Sequence, residues 1–176
     1  MYFEKLDITF DVPDFDIGDL VVEYGLDISG NFHGLWYNEI LDESKCPLKS
    51  IIPEELQDSF VIQLMQANTY IHPHTDSDTL AVINFYLSTN GCITQFHDIK
   101  EGAKPFKLPN QTDGCLYSED DLELGPSFLA EPGDVYLLDV TKVHSVIPQS
   151  YGNLKRKALS LASTSMNFRQ VKQLIL

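Results

Sequence analysis

Short apolar runs separated by turn residues make up most of the chain. Four runs rich in β-branched, aromatic and aliphatic residues predict strands, and a shorter run predicts a fifth. These strands are expected over residues 61–71, 79–87, 134–138, 158–163 and 143–147. Many short strands with little helix favour a mainly β sandwich, barrel or jelly roll.

The first sixty residues also alternate β-like runs with breaks that contain Asp, Gly and Pro, as at residues 3–10 and 20–24. This alternation predicts strands joined by turns. Pro53 is followed by Glu54 and Glu55. Proline fits the first helical position and acidic groups favour the N-terminal end of a helix, so a short helix is expected over residues 53–60. It is the clearest helix in the sequence.

Residues 110–126 are polar and acidic. This stretch holds Asp113, Glu119, Asp120, Asp121 and Glu123. It has too few periodic apolar residues for a core element, so a long loop is predicted. Loops of this length often act as lids or binding elements.

The chain has 176 residues, with 12 basic and 26 acidic side chains and a formal charge of −14. This length suits one domain with a substantial core. We expect a single domain over residues 1–176, in which strands and a short helix at residues 1–60 support a core at residues 61–165. The negative charge disfavours nucleic acid and anionic membranes as partners, because phosphate groups are repelled.

Cys46, Cys92 and Cys115 are widely spaced and belong to no paired motif. This spacing favours reduced thiols over a disulfide framework or a structural zinc site. The first residues lack the features of a signal peptide, and no run approaches the roughly 18 apolar residues of a membrane span. A cytoplasmic location is expected, and the oligomeric state is left open.

The segment at residues 71–76, Ile-His-Pro-His-Thr-Asp, is the most informative for chemistry. In an extended chain residues i and i+2 share a face, so His74 and Asp76 are predicted to point to one place. His144 lies on another predicted strand. Two imidazoles and one carboxylate on a β scaffold match the facial triad that binds Fe(II) and leaves positions open for O₂ and substrate. A surface His beside a solvated Asp is the simpler alternative.

A turn signal at residues 150–154 predicts a hairpin with His144 on one arm and Arg156 on the other. Arg156 would then face Ile147, roughly 10 Å along the strand from His144. That offset suits a five-carbon dicarboxylate that chelates the metal and pairs with the guanidinium at its far end. Lys157 is a second candidate for this carboxylate, and a solvated charge run is the other interpretation of the segment. The neighbours that share a face with Arg156 are small: Ala158, Ser160 and Ala162.

His74, Asp76, His144 and Arg156, with the segments between them, occur in the order seen in Fe(II)/2-oxoglutarate-dependent dioxygenases. The chain looks most like the prolyl-4-hydroxylase-like branch. The resemblance covers residues 61–165 and rests on segments 74–76, 85–87, 91–96, 131–135 and 144–146 together with Arg156. It implies a double-stranded β-helix, which is a cupin-like jelly roll, and the pattern of the first sixty residues adds a short helical and β N-terminal extension. The family commonly has Gly where Cys92 stands and Asn where Ser88 stands.

The resemblance also implies a site and an activity. His74, Asp76 and His144 would be the iron ligands, and Arg156 would bind 2-oxoglutarate as cosubstrate. The implied reaction is hydroxylation of a C–H bond in a peptide, an amino acid or a small metabolite, with succinate and CO₂ as coproducts. Residues 1–60 match no family that we can name, so the primary substrate does not carry over. Thr94 and Phe96 are placed by the resemblance in the pocket wall.

Three further polar residues are candidate contacts of the cosubstrate. Asn84 and Tyr86 lie on the face of their strand opposite its apolar side chains. Tyr70 shares the alternation of His72 and His74, which predicts the same face for all three. A hydrogen-bonded structural role is the alternative for each of Tyr70, Asn84 and Tyr86.

His72 leaves a second interpretation open. His72 and His74, followed by Pro132, Gly133 and His144, also resemble a cupin metal site in which Asp76 is not a ligand. The alternative function is a non-enzymatic cupin-like jelly roll that binds metal or has a structural role. The dioxygenase interpretation is favoured because it accounts for Asp76, the segment around Thr94 and Arg156 together. The two remaining histidines, His33 and His97, are expected to be surface or packing residues.

Overall fold

The computed structural model of the chain describes residues 1–10, 24–26, 32–40, 51–67, 70–76, 78–107, 114–149 and 156–175. Its strands are β1 (Phe3–Leu6), β2 (Tyr24–Leu26), β3 (Phe32–Ile40), β4 (Phe60–Ala67), β5 (Ile71–Thr75), β6 (Ala81–Ser88), β7 (Ile93–Ile99), β8 (Cys115–Leu116), β9 (Leu122–Leu129), β10 (Val135–Leu138), β11 (His144–Ile147) and β12 (Arg156–Ser163). Two 3₁₀ helices cover Glu54–Ser59 and Glu119–Asp121, and one α-helix, α1, covers Phe168–Ile175.

The strands form two antiparallel sheets. The large sheet has the order β1-β10-β6-β12-β4-β3-β2, and the small sheet has the order β8-β5-β11-β7-β9. From β4 onward the chain passes between them, with β4, β6, β10 and β12 in the large sheet and β5, β7, β9 and β11 in the small one. This is the topology of a double-stranded β-helix, so the predicted fold is confirmed.

Buried clusters pack against both faces of the large sheet. Its outer face is covered by α1, whose Phe168 and Val171 pack into one buried cluster with side chains of β6 and β12. Those side chains are Ile83, Phe85, Leu159 and Leu161. The inner face turns toward the small sheet, where a second buried cluster joins Tyr86 of β6 to Phe128 of β9. Because alternate residues of a strand point to opposite faces, each of these strands supplies both clusters.

The prediction of a long loop over residues 110–126 is wrong for residues 114–126, the part that the structure describes. Residues 114–126 contain β8, a 3₁₀ helix and the start of β9, and β9 pairs with β7. Only Leu122 and Phe128 of β9 are buried. An edge strand needs few inward apolar residues, which is why its pattern resembled that of a loop.

The hairpin predicted between His144 and Arg156 is also wrong. β11 pairs with β5 and β7 in the small sheet, whereas β12 pairs with β4 and β6 in the large sheet. The turn at residues 150–154 lies outside the described residues. Turn residues permit a sharp change of direction but do not determine whether the two strands then pair.

Several element boundaries also differ from the prediction. The strand expected over residues 61–71 is split into β4 and β5, and residues 54–59 form a 3₁₀ helix. The helix α1 was not predicted, although Asn167 provides a start signal: its side-chain oxygen accepts hydrogen bonds from the backbone N–H groups of Arg169 and Gln170. The region expected to form a strand at residues 20–23 lies outside the described residues. None of the described helices has the length and apolar character needed to cross a membrane.

Truncation of a leucine in the outer cluster should test this packing. Leu161 is 0% exposed in β12, whereas Leu124 in β9 is 79% exposed. Leu161→Ala should lower the free energy of unfolding by about 2–5 kcal/mol, because it leaves a cavity. Leu124→Ala should change it by less than about 0.5 kcal/mol in the same denaturant titration. Equal effects of the two substitutions would contradict the assignment of the core.

Candidate metal centre

The three predicted metal ligands lie together at neighbouring strands of the small sheet. His74 on β5 is directly opposite His144 on β11, and Asp76 follows the end of β5. Their potential ligand atoms all lie within 4.8 Å of one another. His74 Nε2 is 3.5 Å from the nearer carboxylate oxygen of Asp76. The cluster found among the described residues includes Asp76 and does not include His72.

Backbone carbonyls orient both imidazoles. His74 Nδ1 is 2.7 Å from the carbonyl oxygen of His72, and His144 Nδ1 is 2.9 Å from that of Lys142. Because a carbonyl oxygen only accepts, each Nδ1 carries a proton, and in the neutral imidazole this leaves the lone pair of Nε2 for a metal. Burial lowers the pKa of His144 well below its ordinary value, and nearby His74 lowers it further. His144 is therefore held in the neutral form that binds metals.

Asp76 completes a donor set that suits iron. Its backbone N–H donates to the carbonyl oxygen of Val140 at 3.1 Å, which fixes the start of the side chain beside the connection from β10 to β11. The side chains of His74 and Asp76 are 22% and 32% exposed, so the cluster is accessible on one side. Two imidazole nitrogens and one carboxylate oxygen with an open side fit Fe(II) in a non-haem site.

Across the interior, Arg156 presents a buried positive charge. It is 2% exposed at the start of β12. Its Nη2 donates to the hydroxyl oxygens of Tyr86 at 2.8 Å and Thr94 at 3.1 Å, but its Nη1 is buried without a hydrogen-bond partner. Within the described part of the chain, no carboxylate forms an ion pair with this guanidinium. A buried cation without a counter-charge is unfavourable, so this arrangement fits a site for an anion.

The hydroxyl groups around the guanidinium add two more donors. The oxygen of Tyr86 accepts from Arg156 and, at 3.5 Å, from Asn84 Nδ2. The oxygen of Thr94 also accepts from Arg156. Each hydroxyl can therefore direct its own proton to a further acceptor. Together with Nη1 of Arg156, these hydroxyls form a set of donors that matches the oxygens of one carboxylate.

The register of the small sheet relates this anion site to the metal cluster. Phe96 on β7 is directly opposite His144, and Thr94 precedes Phe96 by two residues. Two strand residues span about 7 Å, so the contact between Arg156 and Thr94 lies about that far along the sheet from the metal ligands. This separation suits a short dicarboxylate between the two sites. Arg156 reaches Thr94 from β12 in the opposite sheet, and not from the predicted hairpin with β11.

Asn84 and Ser160 form a buried polar pair beside Tyr86. Ser160 on β12 is in register with Asn84 on β6, and its hydroxyl donates to Asn84 Oδ1 at 2.5 Å. The predicted inward face of Asn84 and Tyr86 therefore carries polar groups inside the double-stranded β-helix. The sequence indicated Ser160 only as a small neighbour of Arg156. Knowledge of the pairing between β6 and β12 would have been needed to identify it.

Tyr70 lies elsewhere. From Ile71 to His74, β5 advances three residues, whereas the paired strand β11 advances only two between His144 and Val146. This bulge interrupts the alternation that predicted Tyr70 on the same face as His74. The Tyr70 hydroxyl is hydrogen-bonded to Glu119, and its ring packs against the ring of His72 with centroids 4.7 Å apart. The structure thus places the Tyr70 hydroxyl beside Glu119.

The remaining residues named from the sequence can also be placed. Phe96 is fully buried, with its ring centroid 5.6 Å from that of His144, and it forms a wall beside the metal ligands. His97 is buried and hydrogen-bonded to Ser145 at 2.8 Å, as expected for a packing residue. The side chain of His33 lies outside the described part.

No protein-family model and no curated protein matches this sequence. Among solved structures, the chain is similar to three vicilins. They are vicilins from Solanum melongena (12% identity, TM-score 0.42, 76% of this chain and 29% of that chain), from Corylus avellana, hazelnut (16%, 0.41, 77% and 30%), and from Capsicum annuum (8%, 0.45, 86% and 33%). This chain therefore spans about a third of the length of those proteins. At TM-scores this low, neither its fold nor its function is inferred from these likenesses.

Removal of the buried charge should stabilise the ligand-free protein. Arg156→Met should raise the free energy of unfolding by about 1 kcal/mol, because an apolar side chain of similar length removes an uncompensated charge. Lys157→Met at the next position, where the side chain is half-buried, is the matched control and should change stability by less than about 0.5 kcal/mol. Denaturant unfolding measures both, and a less stable Arg156→Met variant would contradict this account.

Proposed function

We propose that this chain is a non-haem Fe(II) and 2-oxoglutarate-dependent oxygenase that hydroxylates a C–H bond of a peptide, an amino acid or a small metabolite. One observation supports this proposal above the others. A His74, Asp76 and His144 cluster lies in the same interior as Arg156, whose buried Nη1 lacks a partner. The cluster suits a metal, and the guanidinium suits the far carboxylate of a dicarboxylic cosubstrate.

His74, Asp76 and His144 would hold the metal, and Asp76 would neutralise one of its charges. When bound, Fe(II) would supply O₂ chemistry in which 2-oxoglutarate becomes succinate and CO₂, one oxygen atom enters succinate and the other enters the hydroxylated product. The two carbonyl groups behind the imidazoles keep Nε2 aimed at the metal position. They thereby reduce the reorganisation required for binding.

Arg156 would bind and orient the cosubstrate. Its unpartnered Nη1 and the hydroxyl protons of Tyr86 and Thr94 would donate to the carboxylate farthest from the metal. A charged hydrogen bond of this type is stronger than a neutral one and has a defined direction. The cosubstrate would consequently be held with its keto acid end toward the metal ligands.

Apolar side chains keep water away from this contact. Cys92 and Val146 form a buried cluster with half-buried Ile71 packed against it, and Val146 is in register with Thr94. Their side chains lower the local polarity beside the guanidinium, and a charge pair is stronger in such surroundings. The same cluster would limit the entry of water along this side of the cosubstrate.

A non-enzymatic cupin-like jelly roll could have the same fold and a similar metal cluster. A purely structural role does not require a buried guanidinium with a free donor, whereas an anionic cosubstrate would use one. Arg156 is therefore the residue that favours the oxygenase over this alternative.

Turnover of 2-oxoglutarate to succinate with Fe(II) tests the proposal. His74→Ala and Asp76→Ala should reduce succinate formation by at least about 100-fold, because each removes one ligand of the metal. Asp78→Ala is the matched control, since Asp78 is an exposed carboxylate two residues from Asp76 that is not part of the cluster. Similar turnover in all four proteins would exclude the assigned metal site.

Arg156→Lys tests the cosubstrate contact separately. Loss of the forked guanidinium should raise the KM for 2-oxoglutarate by about 10–100-fold, the range for removal of a charged hydrogen bond. The concentration of Fe(II) needed for half-maximal turnover should change little. Lys157→Arg serves as the control at the adjacent position, and an unchanged KM in Arg156→Lys would remove Arg156 from the site.

A further inference from the structure

A continuous row of side chains crosses the inner face of the small sheet. Residues directly opposite each other in antiparallel strands share a face. Phe96 is opposite His144, His144 is opposite His74, and His74 is opposite Leu116 of β8. A further antiparallel bridge pairs Leu116 with Phe106. Since Phe96 packs with the inner face of the large sheet, Leu116 and Phe106 lie on the same side as the metal ligands.

The two ends of this row differ in exposure, because its β7 end is buried and its β8 end is half-buried. Phe96 is 0% and His144 is 8% exposed, whereas the side chains of His74 and Asp76 are 22% and 32% exposed. Leu116 and Phe106 are half-buried. The metal cluster therefore lies between a fully buried side chain, Phe96, and two half-buried apolar side chains, Leu116 and Phe106.

Gly114 holds β8 against β5 at this position. Its φ is +66°, and a Cβ built on it would lie 1.9 Å from the carbonyl oxygen of Thr75. A larger residue would collide with the backbone one position from His74. Thr75 pairs with Cys115, so this close approach fixes the register that places Leu116 opposite His74.

We propose that Leu116 and Phe106 form a subsite that holds an apolar group of the primary substrate beside the open side of the metal centre. This inference rests on the proposed function and narrows its substrate class to molecules that present an aliphatic or aromatic group. The subsite lies on the opposite side of the histidine pair from Phe96. Half-buried apolar side chains next to a polar cluster gain contact area when such a group covers them.

Nuclear relaxation with bound Mn(II) tests the subsite without requiring turnover. Mn(II) accepts the same nitrogen and oxygen ligands and, being paramagnetic, speeds the relaxation of nearby protons. The full chain with Mn(II) and 2-oxoglutarate is titrated with N-acetyl-leucinamide and, separately, with N-acetyl-lysinamide. The methyl protons of the leucine probe should relax faster on binding, and the lysine probe should bind at least about tenfold more weakly.

Three variants locate the effect. Leu116→Asn and Phe106→Asn should each weaken binding of the leucine probe about tenfold, the loss expected when an apolar pocket loses one contact. Leu129→Asn is the control, because Leu129 is an exposed leucine on β9, the opposite edge strand of the small sheet. Binding of Mn(II) to each variant, followed through water proton relaxation, verifies that the metal cluster is intact.

The outcomes separate the two proposals. The subsite would be overturned, and the metal centre retained, if Leu116→Asn and Phe106→Asn bind Mn(II) normally and lose no affinity for the leucine probe. Normal Mn(II) binding by the native chain with preference for the lysine probe would have the same consequence. Failure of the native chain to bind Mn(II) would overturn the proposed function, and the subsite with it. Tight leucine binding that both substitutions weaken would support the subsite.

Discussion

The positive charge of Arg156 is the constraint on which the interior depends. A guanidinium that is 2% exposed loses most of its hydration, and the hydroxyl oxygens of Tyr86 and Thr94 replace only part of it. Both hydroxyls are neutral, and although the Tyr86 ring centroid lies 5.1 Å from Cζ of Arg156, no carboxylate among the described residues balances the charge. The apolar layers on both faces of the large sheet supply the stability that allows this unfavourable group to persist. Such local instability is common where a protein binds a ligand.

Side-chain alternation could be predicted from the sequence, because it depends on each strand alone. The inward faces of Asn84 and Tyr86 and the outward faces of Leu159 and Leu161 follow from a period of two residues. The same rule predicted that the side chains of His74 and Asp76 point to one place. The order of β4 to β12 in the double-stranded β-helix came from a family resemblance, since a pattern of short strands alone is equally typical of a sandwich or a barrel.

Features that depend on a partner strand could not be predicted in this way. The bulge in β5 exists only relative to β11, and it moved Tyr70 away from the face of His74. The strand β8 has two residues and is defined by its pairing with β5, so it has no periodic signal of its own. The sequence placed Arg156 near the metal ligands through a hairpin, but β11 and β12 do not pair and lie in different sheets. Its contact with Thr94 depends on two sheets packing face to face, which is information that the local sequence does not contain.

The charges of Asp76 and Arg156 relate the binding of a metal to the binding of a cosubstrate. Asp76 follows the end of β5 in the small sheet and Arg156 begins β12 in the large sheet, and the described residues offer no ion pair between these opposite charges. A divalent metal at the first and a dianionic cosubstrate at the second would make the four charges cancel, whereas either ligand alone would leave a net charge in a largely buried space. Because buried net charge is unfavourable, the metal and the cosubstrate should each favour the binding of the other. Electroneutrality of the interior, more than any single hydrogen bond, would thus couple the two sheets in the loaded protein.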